Sequence, residues 1–391
     1  MAWHFVTSAA DRLQHRGEPP AYAARAMSGQ VVATLDTGVL AFHDAQLDYY
    51  GRRAAAACGA PVQPDDSKVL PAGDFTIYVW DITDGQQKLT GQLKGHDGPV
   101  WKVAWAHPKF GSLLASCGYD MKVIVWKEVG NQWQKAFVDT SHAASVNDLE
   151  FCPWEHGCRL ACASSDGTVS VLTYIPNEAR WARSVMQAHA CGAQSVSWAP
   201  ICTQQGRDHA PLMRLATGGC DNSVCIWKCD GEVWSLESSS LMPAHTDWVR
   251  RVAWRPDGTS TVASGSWDKT VAVWKQEMEG QPWRQVSTIS VAGKVESLAW
   301  SVTGSILAVS FDDGETSLYK ETYDGRFEEI GKCGEQGYTE LAKPGGGSPT
   351  TNAFGAPPPV AGEPLVGDQG ASLNEELAAQ QQSVLDSFGL T

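Results

Sequence analysis

A chain of 391 residues, 43% of them hydrophobic, has material for one large core or for an array of small ones. Its formal net charge of −14 argues against a binder that tracks nucleic-acid phosphates, which needs a basic footprint. No run approaches the ~20 apolar residues of a membrane-spanning helix, so direct membrane insertion is not expected.

In chain order, residues 1–26 contain two acids, Asp11 and Glu18, and lack the apolar run of a secretory signal. They are expected to be a disordered extension, with a weak organelle transit peptide as the alternative and Met27 as the natural beginning. The first strand-like run is Val31-Val32-Ala33-Thr34-Leu35. After it, short β runs repeatedly end in Asp, a tight turn and a strand that closes on an aromatic. Asp74 precedes Trp80 by six residues, and the spacing recurs at Asp120 and Trp126, Asp221 and Trp227, and Asp268 and Trp274. Asp166 meets Leu172 and Asp313 meets Tyr319 at the same offset. A second ruler of nine residues joins His96 to Trp105, His142 to Phe151, His189 to Trp198 and His245 to Trp254.

Two rulers agreeing over several units identify a repeat architecture. Each unit is a small antiparallel sheet that cannot bury both faces alone, so the units stack radially. Inner-strand triplets are expected at 43–80, 99–126, 145–172, 192–227, 248–274 and 294–319. Outer strands are expected at 31–37, 87–93, 132–140, 181–188, 233–242, 283–290 and 326–332. Residues 60–73, with Pro61, Pro64 and Pro71, read as a surface excursion, and 201–213 lengthen the fourth unit. The segment 333–391 is Gly/Pro-rich and acidic and cannot form a core. It is expected to be disordered, apart from a candidate short helix at 372–388 marked by Ser372 and Glu375 at capping-box spacing.

The repeat positions resemble WD repeats, in which a loop His, a Ser or Thr, the turn Asp and the strand-end Trp form one hydrogen-bonded tetrad. Three units hold a full set: His96, Ser116, Asp120, Trp126; His189, Thr217, Asp221, Trp227; and His245, Ser264, Asp268, Trp274. A Ser-His-Asp combination invites a hydrolase reading, but three copies at fixed repeat positions, each with a Trp, read as structural. The third unit is weak, because Cys162 and Leu172 replace two members. Cys152, Cys158 and Cys162 near His156, and Cys220, Cys225 and Cys229 together, invite a zinc reading. There is no CxxC pair, and strand alternation sends neighbours to opposite faces, so the cysteines are expected to be reduced core residues. No metal, cofactor or catalytic site is expected. The fold class is all-β, a six-bladed WD-repeat β-propeller.

The strand count leaves one outer strand over and three inner strands missing. An uncovered sheet edge is a liability, so an open propeller is expected, completed in trans by a blade from a partner. The gap lies between the first and last units, with 43–49 and 294–300 as walls. Val31, Val32, Thr34 and Leu35, with Gln46, Leu47, Val295 and Leu298, are the candidate contacts for that blade.

Several runs are similar to one propeller family well beyond a generic WD repeat. They are His43-Asp44-Ala45-Gln46-Leu47-Asp48-Tyr49-Tyr50-Gly51, the run Gly98 to Pro108, Ser164 to Tyr174, Val196-Ser197-Trp198-Ala199-Pro200 and His245 to Arg250. They resemble the small propeller subunit of the COPII outer coat, over roughly 31–330. The resemblance implies an open propeller that takes a blade from the large cage subunit of that coat, on vesicles leaving the endoplasmic reticulum. It also implies a place in the nuclear pore Y-complex, with a blade from a helical nucleoporin, and in GATOR-type regulators of nutrient signalling. The implied setting is the cytoplasm, the vesicle coat at the endoplasmic reticulum membrane surface and the nuclear pore. A competing reading is a ubiquitin-ligase substrate receptor. Such receptors often carry Trp-Asp-x-Arg, whereas Trp80-Asp81-Ile82-Thr83 lacks the Arg and Trp126, Trp227 and Trp274 are each followed by Lys.

Overall fold

A computed structural model describes residues 42–58, 75–83, 87–201, 212–237, 244–334 and 337–340. The expected outer strand 31–37, the 60–73 excursion, most of the 201–213 loop and the tail helix lie outside the described residues.

Six antiparallel sheets follow one another along the chain. Blade one is β1 (Phe42–Leu47), β2 (Arg53–Cys58), β3 (Ile77–Asp81) and β4 (Lys88–Leu93). Blade two is β5 (Val100–Trp105), β6 (Leu113–Gly118), β7 (Val123–Val129) and β8 (Gln132–Asp139). Blade three is β9 (Val146–Phe151), β10 (Arg159–Ser164), β11 (Thr168–Ile175) and β12 (Arg180–Gln187). Blade four is β13 (Ala193–Trp198), β14 (Met213–Gly219), β15 (Val224–Asp230) and β16 (Val233–Leu236). Blade five is β17 (Val249–Trp254), β18 (Thr261–Ser266), β19 (Thr270–Lys275) and β20 (Arg284–Ser290). Blade six is β21 (Val295–Trp300), β22 (Ile306–Phe311), β23 (Thr316–Glu321) and β24 (Phe327–Gly334), with a fifth strand, β25 (Gly337–Glu340), on its outer edge. That last strand departs from the expectation that 333–391 is disordered apart from a short helix at 372–388. Backbone pairing with β24 needs no apolar side chains, so composition did not reveal it.

Local chemistry explains where the strands turn. Between the second and third strands of blades two, four and five, the residue after the repeat Asp is left-handed: Met121, Asn222 and Lys269 have φ of 64°, 64° and 63°. Blades three and six place Gly167 and Gly314 there instead. The Asp side chain makes these turns affordable by accepting the backbone N–H two residues on, as Asp268 does from Thr270 at 2.9 Å. Gly130 and Asn131, both with positive φ, form the tight turn that sets Val129 opposite Gln132.

The blades pack through apolar layers. Ala55, Val79, Val100, Leu114, Ile124 and Trp126 fill the layer between blades one and two, and similar layers follow down to blade six. Arginines reinforce the junctions. Arg53 of blade one reaches Glu128 of blade two at 2.9 Å and lies over the Trp105 ring. Arg214 of blade four holds Glu237 at 2.6 Å and Gln276 of blade five at 2.8 Å, and lies over Trp254 and Trp283. Arg255 joins Glu321 of blade six at 2.6 Å. Cys152, Cys158 and Cys162 sit in three separate apolar clusters rather than converging.

Candidate partner-binding face

The tetrads come together as hydrogen-bonded chains. In blade two, His96 Nδ1 lies 3.0 Å from Asp120, His96 Nε2 2.8 Å from Ser116 Oγ, and the Trp126 indole N–H donates to the same Oγ at 2.9 Å. In blade four the distances are 2.9, 2.9 and 3.1 Å through His189, Asp221, Thr217 and Trp227. Blade five repeats them at 3.0, 2.8 and 3.0 Å through His245, Asp268, Ser264 and Trp274. The indole can only donate, so the hydroxyl accepts there, and the carboxylate can only accept, so Nδ1 carries a proton toward it; in a neutral ring Nε2 then accepts the hydroxyl proton. Burial pushes the His245 pKa down, consistent with a neutral ring. Ser116, Thr217 and Ser264 are fully buried, so no substrate can reach these hydroxyls.

Blade three rebuilds the His, hydroxyl and Asp part of its tetrad, without the Trp, from a residue that the spacing did not single out. Ser170 lies directly across the strand pair from Cys162, and its Oγ meets His142 Nε2 at 2.8 Å while His142 Nδ1 meets Asp166 at 3.2 Å. Burial opposes the Asp166 charge, but bonds from Thr168 and Ala143 outweigh it and hold the carboxyl at about 2. Replacing Asp268 by Ala leaves the His245 ring, the Thr246 N–H and the Lys269 turn without their acceptor. Stability is expected to fall by about 1–3 kcal/mol. A denaturation midpoint equal to that of the unchanged protein would contradict a structural role.

Charged groups cross the channel that the inner strands surround. Asp148 of blade three binds Arg251 of blade five at 2.7 Å and accepts the Val196 N–H and the Ser195 hydroxyl of blade four. Burial works against its charge, but Arg251 and Lys102 hold its carboxyl below the usual range. Lys102 of blade two meets Asp44 of blade one at 3.1 Å. Glu150 accepts the Trp198 N–H at 3.0 Å, yet burial pushes its pKa up to about 7 from 4.5. The folded chain therefore keeps a proton on Glu150 that the unfolded chain releases between pH 4.5 and 7, and stability falls as pH rises through that window. Glu150→Gln is expected to melt higher than the unchanged protein at pH 8 and to lose that advantage by pH 4.5. An equal difference at both pH values would refute the assignment.

Among the described residues, the face of blade six away from blade five is left without a neighbouring blade. Inner strands pack in succession, β1 on β5, β5 on β9, β9 on β13, β13 on β17 and β17 on β21, and among the described residues no comparable packing joins β21 to β1. One cross-strand pair recurs in all six blades on the face toward the next blade: Ala55 with Val79, Ala115 with Val125, Ala161 with Val171, Ala216 with Ile226, Ala263 with Val273, and Ala308 with Leu318. The first five pairs are at most 1% exposed. Ala308 and Leu318, together with Ile306, are only partly buried, and Ala299 beside them is exposed. On blade one, Phe42, Tyr78 and Trp80 form an aromatic group on the face away from blade two, with ring centroids 5.8–6.2 Å apart.

Four expected contacts for a donated blade fall on described residues, and the structure corrects most of them. Val295 and Leu298 are buried in the layer against blade five, and Gln46 stands opposite Ala55 on the side of blade two. Leu47, opposite Ala54, is on the face of blade one away from blade two. Val31, Val32, Thr34 and Leu35 lie outside the described residues. The expected wall segments 43–49 and 294–300 fall on β1 and β21, and alternation sends Gln46, Val295 and Leu298 toward neighbouring blades of the same chain. Ile306, Ala308 and Leu318, which lie on the face of blade six away from blade five, look in sequence like any other interior strand residue.

A model of the WD domain, G-beta repeat, matches residues 87–127 and 235–275. The chain is 40% identical over 304 residues to "Protein transport protein sec13" of Emericella nidulans, covering 74% of this chain and 93% of that one. It is 39% identical over 300 residues to "Protein SEC13 homolog" of Drosophila melanogaster, covering 73% and 79%, and 37% identical over 343 residues to "Protein transport protein SEC13" of Mycosarcoma maydis, covering 73% and 90%. Among solved structures, a chain in the crystal structure of the Mitotic Checkpoint Complex superposes with a TM-score of 0.56 at 14% identity, covering 74% of this chain and 80% of that one. That likeness concerns the propeller fold alone.

Proposed function

The chain belongs to the Sec13 family, and we propose that it is a non-catalytic scaffold subunit of the COPII coat, completed by a β-blade from the large cage subunit. The observation that carries this reading is the partly buried Ala308–Leu318 face, the one member of six equivalent pairs that no following blade covers among the described residues. A donated blade would lie between that face and the Phe42–Tyr78–Trp80 group, with Val31, Val32, Thr34 and Leu35 as its outer strand. Strand addition draws affinity from backbone hydrogen bonds and specificity from side-chain pockets. The same face would therefore also suit a helical nucleoporin of the nuclear pore Y-complex or a GATOR-type subunit. The reading locates the chain in the cytoplasm, on vesicle coats at the endoplasmic reticulum membrane surface, and at the nuclear pore.

The test is capture of the large cage subunit by the full chain, followed by thermal melting. A partner that binds only the folded state raises apparent stability with its concentration. A chain that is equally stable and monodisperse with and without the cage subunit, and captures none of it, refutes the proposal.

A further inference from the structure

Ten cysteines lie among the described residues, and eight of them are buried. The other two, exposed Cys191 and half-buried Cys220, occupy paired repeat positions in blade four. Cys191 stands two residues after the tetrad His189, and Cys220 one residue before the tetrad Asp221.

Blade two shows how close these positions are. Its equivalents are Gly98, two after His96, and Tyr119, one before Asp120. A Cβ placed on Gly98 would lie 3.6 Å from the Tyr119 Cβ. Disulfide-bonded Cβ atoms are typically about 3.5–4.5 Å apart.

Two backbone hydrogen bonds recur in the two blades, although Gly192 has φ 112° where blade two has Pro99. The Tyr119 N–H donates to the Pro99 carbonyl and the Cys220 N–H to the Gly192 carbonyl, both at 2.9 Å. The Asp97 N–H donates to Asp120 at 2.9 Å and the Ala190 N–H to Asp221 at 3.0 Å. Cys191 is thus flanked on both sides by bonds that hold its loop against the Cys220 turn. Blades three and five put Ala144 with Ser165 and Asp247 with Trp267 at these positions, so the thiol pair is peculiar to blade four. The Gln194 side-chain amide donates to the Cys220 sulfur at 3.1 Å and holds it in place.

We propose that Cys191 and Cys220 are a reversible dithiol–disulfide couple that staples the His-bearing loop of blade four to its Asp-bearing turn. The oxidant is a hydroperoxide. The Cys191 thiolate sulfur attacks the distal peroxide oxygen, the O–O bond breaks, and the alcohol or water leaves, giving a sulfenic acid. The Cys220 thiol, losing its proton, attacks that sulfur; the S–O bond breaks, water leaves and the S–S bond forms. In sum, two thiols and one hydroperoxide give one disulfide, one alcohol (water for hydrogen peroxide) and one water. A dithiol reductant reverses the step by two thiol–disulfide exchanges. The exposed member meets the oxidant and the half-buried one resolves it. Burial, which pushes the Cys220 thiol up, suits that division of roles.

The test treats the full chain in its native state with stoichiometric hydrogen peroxide, alkylates the remaining thiols, digests without reduction and identifies the linked peptides by mass spectrometry. The expected product is a single 191–220 cross-link that disappears on adding a dithiol. It should raise the melting temperature relative to the reduced chain. In Cys191→Ser the cross-link is absent and Cys220 remains a free thiol after the same exposure. Accumulation of Cys191 sulfinic acid beside reduced Cys220 would overturn the proposal, as would linkage of either residue to any other cysteine or to a second chain.

Discussion

Leu318→Asp is expected to abolish capture of a donated blade while leaving the propeller folded. Leu318 occupies the position that Val79, Val125, Val171, Ile226 and Val273 occupy in the other blades, but it is only partly buried. A carboxylate there stays solvated in the free chain, so the fold bears little of its cost. On capture it would be covered by the incoming blade without a partner charge, a penalty of several kcal/mol. At about 1.4 kcal/mol per tenfold, affinity should drop by roughly a hundredfold or more. Val273→Asp is the contrast: the same change at a covered position should unfold the chain whether or not a partner is present. Undiminished capture by a folded Leu318→Asp chain would remove this face from the interface. It would also overturn the proposed mode of assembly, even if the cage subunit binds elsewhere.

Arg214→Ala should be among the most destabilising single changes in the ring. The guanidinium is buried at the junction of blades four and five, where it bonds Glu237, Gln276 and Ser260 and lies over Trp254 and Trp283. Its removal leaves Glu237, also buried, without its cation, and breaking such a pair costs about 3–5 kcal/mol. The loss of stem packing on the two rings adds to this. Replacing Arg214 and Glu237 together by Met should recover most of that loss, because no buried charge is left unpaired. Chemical denaturation of Arg214→Met, Glu237→Met and the double variant gives the coupling directly. If the double variant is no more stable than Arg214→Met, ion pairing is not what the junction depends on.

Much of the architecture was legible in the chain. The six-residue offset from Asp to a strand-end Trp, Tyr or Leu marked all six blades and the nine-residue offset from His to an aromatic marked four of them, because a tetrad must join two loops to a strand end at a constant distance. Spacing alone named the members of three tetrads. In blade three it found His142 and Asp166 but not Ser170, because the hydroxyl that replaces the usual one sits on the neighbouring strand. Only cross-strand register brings Ser170 opposite Cys162. The fifth strand of blade six was hidden for a related reason, since its pairing depends on backbone groups that every residue carries.

The partner face shows the boundary most clearly. Sequence by itself determined that the repeat has six units, and that its first and last units must flank any gap. It could not determine which face of the last unit is bare. Strand residues alternate between faces, and Leu298 and Leu318 are equally apolar in sequence. Tertiary packing directs Leu298 into the layer with blade five and leaves Leu318 where the next blade would stand. The same holds for Cys191 and Cys220, 29 positions apart in the chain but on a loop and a turn that the tetrad of blade four and its flanking bonds draw together. Periodicity reports which residues can be interior; what lies on the other side of them depends on the order in which the blades stack.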